Sequence, residues 1–298
     1  MTVRAVAIFG PNVSERDLQP FQSPEVRIPV AENLSPAGEV EAGLILGGDG
    51  TVHRHLAAFV ERKTPLLVVP HGSGNDFAVA LGVRTRDDAL AAWKKFVGGG
   101  GNVRPVDVGR ITPLAQPDAT PTYYCCVAGA GVDSGANRRA NAQPAWLRRH
   151  GGYTLAALQA IFSFKPLRVT VQATGASPAN PAAGEPAAPA ISEPGWMVAF
   201  ANAPTYGGGM RIAPRAQLDD GKLDVCFLRR TGRLSLLRLF PKVFSGAHVS
   251  RPEVTYFQAT GLRVETESPL DVYADGEYVC RTPVEVGILP GALRVIVP

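Results

Sequence analysis

Several familiar patterns are missing from this 298-residue chain, and each absence removes a class of function. No apolar run approaches the ~18–20 residues that a helix needs to cross a bilayer. The start reaches Gly10-Pro11 before a signal-peptide core could form, so no leader is expected. There is no Walker A loop ending in Gly-Lys-Ser/Thr and no GxGxxG dinucleotide fingerprint. Only four cysteines occur, Cys125, Cys126, Cys226 and Cys280. None forms a CxxC pair or has zinc-type spacing to a histidine, so they are expected reduced and buried in strands of a cytoplasmic protein. Internal repeats are absent. A net charge of +4 is too mild to imply a nucleic-acid partner, though it suits nucleotides or an anionic lipid surface.

What remains is the composition of a soluble globular protein, 45% hydrophobic and 19% charged, on a chain long enough for two domains. The first third alternates strands (residues 3–9, 26–30, 44–46, 66–70) with helices (51–62, 75–81, 86–97). That order predicts a parallel sheet covered by helices on both faces. Beyond Val106-Asp107-Val108 the segments turn short and β-rich: 123–127, 167–173, 196–201, 223–228, 262–265, 272–274 and 293–297. The pattern predicts a mainly β sandwich. It is interrupted by a helix over 146–164 and a second over 234–244 broken at Pro241. Residues 174–195, rich in Ala, Pro and Gly, read as a surface loop. The boundaries expected are 1–108 for an α/β nucleotide-binding domain and 109–298 for the β-sandwich. The last strand is a candidate to pack back on the first domain.

Two glycine turns carry the chemistry. Gly47-Gly48-Asp49-Gly50-Thr51 follows an apolar strand and opens a helix. His71-Gly72-Ser73-Gly74-Asn75-Asp76 does the same after Leu66–Pro70. Glycines let backbone N–H groups approach an anion, and the helix N-terminus adds positive potential. An aspartate inside such a turn suits a phosphate mainly when a divalent cation lies between them. If the two strands are neighbours, Asp49 and Asp76 face one crevice at the carboxyl ends of the sheet. The plain alternative is a pair of structural turns, the glycines serving positive φ and the aspartates capping helices.

Together the two turns resemble the diacylglycerol kinase catalytic domain, in its bacterial soluble lipid kinase form. GGDGT alone is shared with NAD kinases; Gly72-Ser73-Gly74-Asn75-Asp76-Phe77-Ala78 at this distance is more specific. Tyr206–Pro214, Leu218–Val225 and Asp275-Gly276-Glu277 resemble the same family's second domain. The resemblance implies an N-terminal three-layer α/β/α domain of NAD kinase/diacylglycerol kinase type and a C-terminal β-sandwich. It implies a kinase using ATP and Mg2+ to phosphorylate the hydroxyl of a diacylglycerol-like or sphingoid lipid. Gly47, Gly48, Asp49, Gly50, Thr51, Val52, His53, Gly72, Ser73, Gly74 and Asn75 would hold the nucleotide. Asp49 and Asp76 would organise magnesium and its waters, and Glu277 would be the general base. Asp220, with the backbone carbonyls of Gln217 and Lys222, matches a structural magnesium site. Neither loop has a P-loop lysine, so the cation load falls on magnesium. Read without the family, Glu277 is an exposed residue after an Asp-Gly hairpin turn.

The chain departs from the family between Phe9 and Leu44, where only 34 residues stand. The loop there reads Gly10-Pro11-Asn12-Val13-Ser14, and the following helix shrinks to about 14–21. Arg229, Arg230, Arg233, Arg238 and Lys242 flank the apolar run 234–244, and Arg138, Arg139, Arg148 and Arg149 precede the other helix. Two readings stand: a basic amphipathic face making transient contact with a membrane, or helices covering the sandwich with solvated arginines. Two rival functions also stand, an NAD kinase-like phosphotransferase and a degenerate member that binds nucleotide or lipid without turnover. A homodimer is left open.

Overall fold

The structure is a computed structural model that describes residues 3–24, 26–34, 40–116, 118–141, 152–174 and 190–298. The chain divides into two units, residues 1–108 with 290–298, and residues 109–289.

The first unit is built from parallel strands and their crossover helices. Its strands are β1 (Ala5–Phe9), β2 (Ala42–Gly47), β3 (Leu66–Pro70) and the end of β14 (Val284–Ile296), in that spatial order. β1 runs parallel to β2, β2 to β3, and Val295 pairs with Leu66. Every residue of β2 and β3 is buried, which is why both read as continuous apolar runs rather than alternating ones. α1 (Glu15–Leu18) and the 3-10 turn Gln19–Phe21 link β1 to β2, and α2 (Asp49–Arg62) links β2 to β3. After β3 come α3 (Asp76–Ala80), α4 (Arg86–Val97) and the first half of β4 (Val103–Pro113). The bounds of α4 follow from local chemistry. Thr85 and Asp88 form a capping box, Asp87 and Asp88 face the positive helix start, and Gly98 follows the end.

The expected strand over 26–30 does not form. Val30 makes one isolated parallel bridge to Ala7, flanked by bonds from Ala7 N to the Pro29 carbonyl and from Ala31 N to the Ala7 carbonyl. Pro29 has no N–H to extend the ladder.

The second unit is antiparallel and mainly β. Its strands are the rest of β4 and β14, β5 (Thr122–Tyr124), β6 (Val127–Gly131), β7 (Leu167–Ala173), β8 (Ile191–Ala201), β9 (Leu223–Arg229), β10 (Val254–Ala259), β11 (Gly261–Thr266), β12 (Asp271–Ala274) and β13 (Glu277–Arg281). The path runs β14-β11-β7-β8-β6-β12-β13, with β9 also on β8, β10 on β9 and β5 on β4. Val198, Phe200, Val225, Phe227, Val264 and Val286 sit in its core. The helices are α5 (Val132–Asn141), α6 (Gly152–Ser163) and α7 (Arg233–Ser245).

Three segments need correction here. The strand over 123–127 is two strands separated by Cys125 and Cys126, so those two buried cysteines lie outside strands. Their amides bond to the Asp275 side chain and leave the ladder. Pro241 sits inside α7 without breaking it. The lost backbone bond, worth ~3 kcal/mol in an exposed helix, is offset by burial of Leu236 and Leu239, which precede the proline. Residues 191–195 belong to β8 rather than to a loop, whereas residues 175–189 lie outside the described residues. The helix expected over 146–164 is seen as α6; residues 146–151, with Arg148 and Arg149, lie outside the described residues.

Candidate functional site

Both glycine turns leave the carboxyl ends of neighbouring strands, where Gly47 of β2 pairs with Pro70 of β3. Asp49 joins them. Its Oδ2 accepts from the backbone N–H of Asp76 at 3.0 Å, and its Oδ1 from that of Phe77 at 3.1 Å. These are the first amides of α3, which have no intrahelical carbonyl to bond. A carboxylate there satisfies two of them and faces the positive end of the helix. The loops also touch through backbone. A Cβ added to Gly48 would lie 2.9 Å from Gly72 Cα, and one added to Gly72 would lie 2.7 Å from Gly48 Cα. Only glycine fits at that crossing.

The second loop is shaped from within by Asn75. It takes the left-handed conformation, φ 55°, which asparagine tolerates better than most residues. Its side-chain amide closes the turn with two bonds to Gly72, Oδ1 accepting from N and Nδ2 donating to O, each 2.8 Å. Ser73 is left exposed at the tip, Asp76 is buried, and Thr51 is buried beneath Gly10 and Gly47. Gly50 and Val52 lie in the first turn of α2, His53 opens the second, and Gly74 precedes Asn75. The α1 segment is tied to this end of the sheet by a cation that sequence reasoning missed. Arg86 donates to Asp17 Oδ1 at 2.7 Å, and its guanidinium lies against His71. The Ser14 backbone N–H and hydroxyl, then Arg86, hold the Asp17 carboxyl below its usual range.

In the second unit, Glu277 stands exposed at the start of β13, directly after the Asp275-Gly276 turn. Both turn residues have positive φ, 50° and 85°, as a type I′ hairpin requires. Asp275 anchors that turn. Its carboxylate accepts from Cys125 N at 2.9 Å and Cys126 N at 2.8 Å. Burial, and then the Asp275 charge, hold the neighbouring Tyr124 phenol well above its usual pKa. Asp220 is a half-buried turn residue whose Oδ1 accepts from Lys222 N at 3.0 Å and whose Oδ2 accepts from Gln258 Nε2 at 3.2 Å. Gln217 is exposed. Among the described residues, no three His, Cys, Asp or Glu side chains converge as a metal cage.

A cavity of about 70 Å³ opens within the second unit. Its walls are almost wholly apolar and come from α5, α6, α7, Met197 of β8, and the 206–212 turn. Leu236, Leu239, Phe240 and Val243 form the α7 side. The polar residues at it are Asp133, whose Oδ1 accepts from the Tyr206 hydroxyl at 3.0 Å, and His248, whose Nε2 lies 3.1 Å from the Ile212 carbonyl. Burial holds the His248 imidazole below its usual pKa. Sequence reading missed Asp133 and His248, and met Tyr206 only as the start of the 206–214 motif, because the three belong to separate segments with no motif in common.

Comparison with known proteins agrees with this architecture. Residues 5–111 match the model of the diacylglycerol kinase catalytic domain, and residues 126–297 match that of the YegS C-terminal NAD kinase beta sandwich-like domain. A diacylglycerol kinase of Mycobacterium tuberculosis is 33% identical over 258 residues, spanning 87% of this chain and 77% of that protein. A diacylglycerol kinase of Bacillus subtilis is 25% identical over 262 residues, 87% of this chain and 78% of its own. The crystal structure of a candidate diacylglycerol kinase from Bacillus anthracis str. Sterne superposes with a TM-score of 0.72 at 20% identity, covering 100% of this chain and 99% of that one. The chain belongs to the diacylglycerol kinase catalytic-domain family and is a lipid kinase, a phosphotransferase acting on an alcohol.

Proposed function

We propose that this lipid kinase transfers the γ-phosphoryl group of ATP, with magnesium, to the hydroxyl of a diacylglycerol-like or sphingoid lipid. The observation that carries the nucleotide half is the Asp49 bridge, which holds two glycine loops in contact at the ends of β2 and β3. Glycine-rich loops held in this way present backbone amides and the exposed Ser73 hydroxyl to an anion without reorganisation. Residues from Gly47 to His53, and from Gly72 to Asn75, are our assignment for ATP.

The residues fit magnesium in a particular way. Mg2+ keeps several waters and takes one or two carboxylates along with substrate phosphates. Buried Asp76 is the carboxylate we assign to the ion, and Asp49, whose oxygens each accept a backbone amide, acts through the loop it positions. Asp220, with the carbonyls of Gln217 and Lys222, is assigned a second, structural ion; its carboxylate already orders that turn. When bound, the catalytic ion neutralises phosphate charge during transfer.

Glu277 is assigned the role of base. In the step proposed, the lipid oxygen forms a bond to the γ-phosphorus, the bond to the β-phosphate oxygen breaks, and the hydroxyl proton passes to the Glu277 carboxylate. Asp275 fixes the turn from which Glu277 projects. The apolar cavity favours a lipid acceptor over NAD, with the tail against α7 and the headgroup oxygens near Asp133 and Tyr206. The test is a labelled-ATP assay with magnesium, offering diacylglycerol micelles, sphingosine and NAD in parallel. Labelled lipid is expected. Label in NAD alone would overturn the reading, and nucleotide-dependent stabilisation without any labelled product would favour a non-catalytic binder.

A further inference from the structure

The segment from Val225 to Pro252 carries Arg229, Arg230, Arg233, Arg238, Lys242 and Arg251, and not one Asp or Glu. Its centre is α7, a helix with apolar residues on two opposite sides. One side, Leu236, Leu239, Phe240 and Val243, walls the cavity. The other points outward: Leu234 is 70% exposed, Phe244 is 44% exposed, and Pro241 between them is exposed too. Positions 234, 241 and 244 fall on one stripe of a 3.6-residue helix. Phe162, near the end of α6, is 61% exposed as well. The Arg233 guanidinium donates to the Ile161 and Phe162 carbonyls, both at 3.4 Å, and holds the two helix ends together. Three of the six exposed large hydrophobic residues among those described therefore cluster on one cationic patch.

A packed helix normally turns its polar side to water. An exposed apolar stripe bordered by cations matches the chemistry of a helix lying in the headgroup region of an anionic bilayer. A second copy of this chain is a poor occupant, because a two-fold interface sets the same patch against itself and would oppose arginine with arginine. We propose that the outer face of α7, with Phe162, is the surface by which this protein docks on anionic phospholipid. Arg238 and Lys242 lie beside the apolar stripe and supply the charge complementarity. Phe240 and Phe244 pack edge to face, centroids 5.9 Å apart, so a cavity-wall residue touches one on the docking side. The purpose of docking rests on the lipid-substrate reading above: one helix would meet the membrane outside and shape the substrate cavity inside.

The test measures binding without turnover. Wild-type protein, with no nucleotide, is sedimented with vesicles of phosphatidylcholine alone or of phosphatidylcholine with phosphatidylglycerol. Binding to the anionic vesicles should be at least about tenfold stronger, and weaken with salt. The Leu234→Ser/Phe244→Ser pair should lose vesicle binding. The Arg238→Glu/Lys242→Glu pair should lose the preference for phosphatidylglycerol. Both pairs should keep wild-type melting temperatures and wild-type rates on a short-chain, water-dispersed diacylglycerol. Equal binding of wild type and both pairs to the two vesicle types would overturn the proposal. So would a wild-type dimer that becomes monomeric in the Leu234→Ser/Phe244→Ser protein, since that marks an interface between copies. Vesicle binding that follows these expectations in a protein inactive on every lipid would support docking and count against the kinase reading alone.

Discussion

Asp49 and Asp76, 27 residues apart in the chain, are joined by a bond from the Asp76 backbone N–H to the Asp49 carboxylate at 3.0 Å, and Phe77 N–H takes the other oxygen at 3.1 Å. The aspartate at the centre of the first glycine turn is thus the connector of the second. Both of its oxygens accept backbone amides at the start of a helix, which gives a carboxylate a place in a turn suited to anions.

Replacing it should therefore cost stability as well as activity. Asp49→Ala leaves two amides without their acceptor, a loss of about 1–3 kcal/mol, and is expected to abolish turnover. Asp49→Asn keeps an acceptor for one amide and should melt between Asp49→Ala and wild type. Calorimetry combined with the kinase assay checks this; an Asp49→Ala protein with wild-type melting would show the connection to be unimportant.

The glycine crossing makes a sharper demand. Gly48→Ala and Gly72→Ala each drive a Cβ into backbone, at 2.9 and 2.7 Å, and should part the loops and weaken ATP binding at least about tenfold, equivalent to ~1.4 kcal/mol. Gly232→Ala is the control, with open space around its Cβ and a φ of −65°. It is expected to stay within ~0.5 kcal/mol of wild type. Titration calorimetry with a non-hydrolysable ATP analogue reads the difference.

Neighbouring carboxylates on one hairpin should separate chemistry from scaffolding. Glu277 is exposed, so Glu277→Gln should lose turnover by more than about 100-fold with no shift in melting. Asp275→Ala removes the acceptor of the Cys125 and Cys126 amides and should lower both. Wild-type rates in the glutamine variant would remove Glu277 from the mechanism.

Acid should weaken the fold in a defined direction. His248 and His55 both have pKa values lowered by burial, with the Arg54 charge adding to the effect at His55. Between the lowered folded value and the usual value near 6.5, the unfolded chain binds more protons, so stability falls as pH drops below about 6.5. Above that value both histidines are neutral in either state and the contribution is complete. Urea melts across this range should show the slope, and His248→Gln should flatten part of it.

Much of the nucleotide half is legible locally. The spans of β3 and α4 follow from an apolar run and from the Thr85-Asp88 box with Gly98. The two glycine turns announce themselves because positive φ, close approach and helix starts all draw on a few residue types. The role of Asp49 does not, since a metal-organising carboxylate and an amide-binding one look identical until β2 and β3 are known to be neighbours. The strand expected over 26–30 failed for want of one N–H at Pro29. Pro241 read as a break because helix propensity ignores the buried Leu236 and Leu239.

The second unit shows the same division. β7 has its expected span, and the Asp-Gly turn forms as its residues require. The cavity had no linear signature, because Asp133, Tyr206 and His248 meet only when α5, the 206–212 turn and the segment after α7 pack together. Sequence by itself determined the elements whose cause is local: caps, glycine turns, and apolar runs buried on both faces. Tertiary structure alone decided which amide each carboxylate serves and which side of α7 stays in water. Those outcomes depend on partners tens of residues away, and the chain between them carries no periodicity that encodes the meeting.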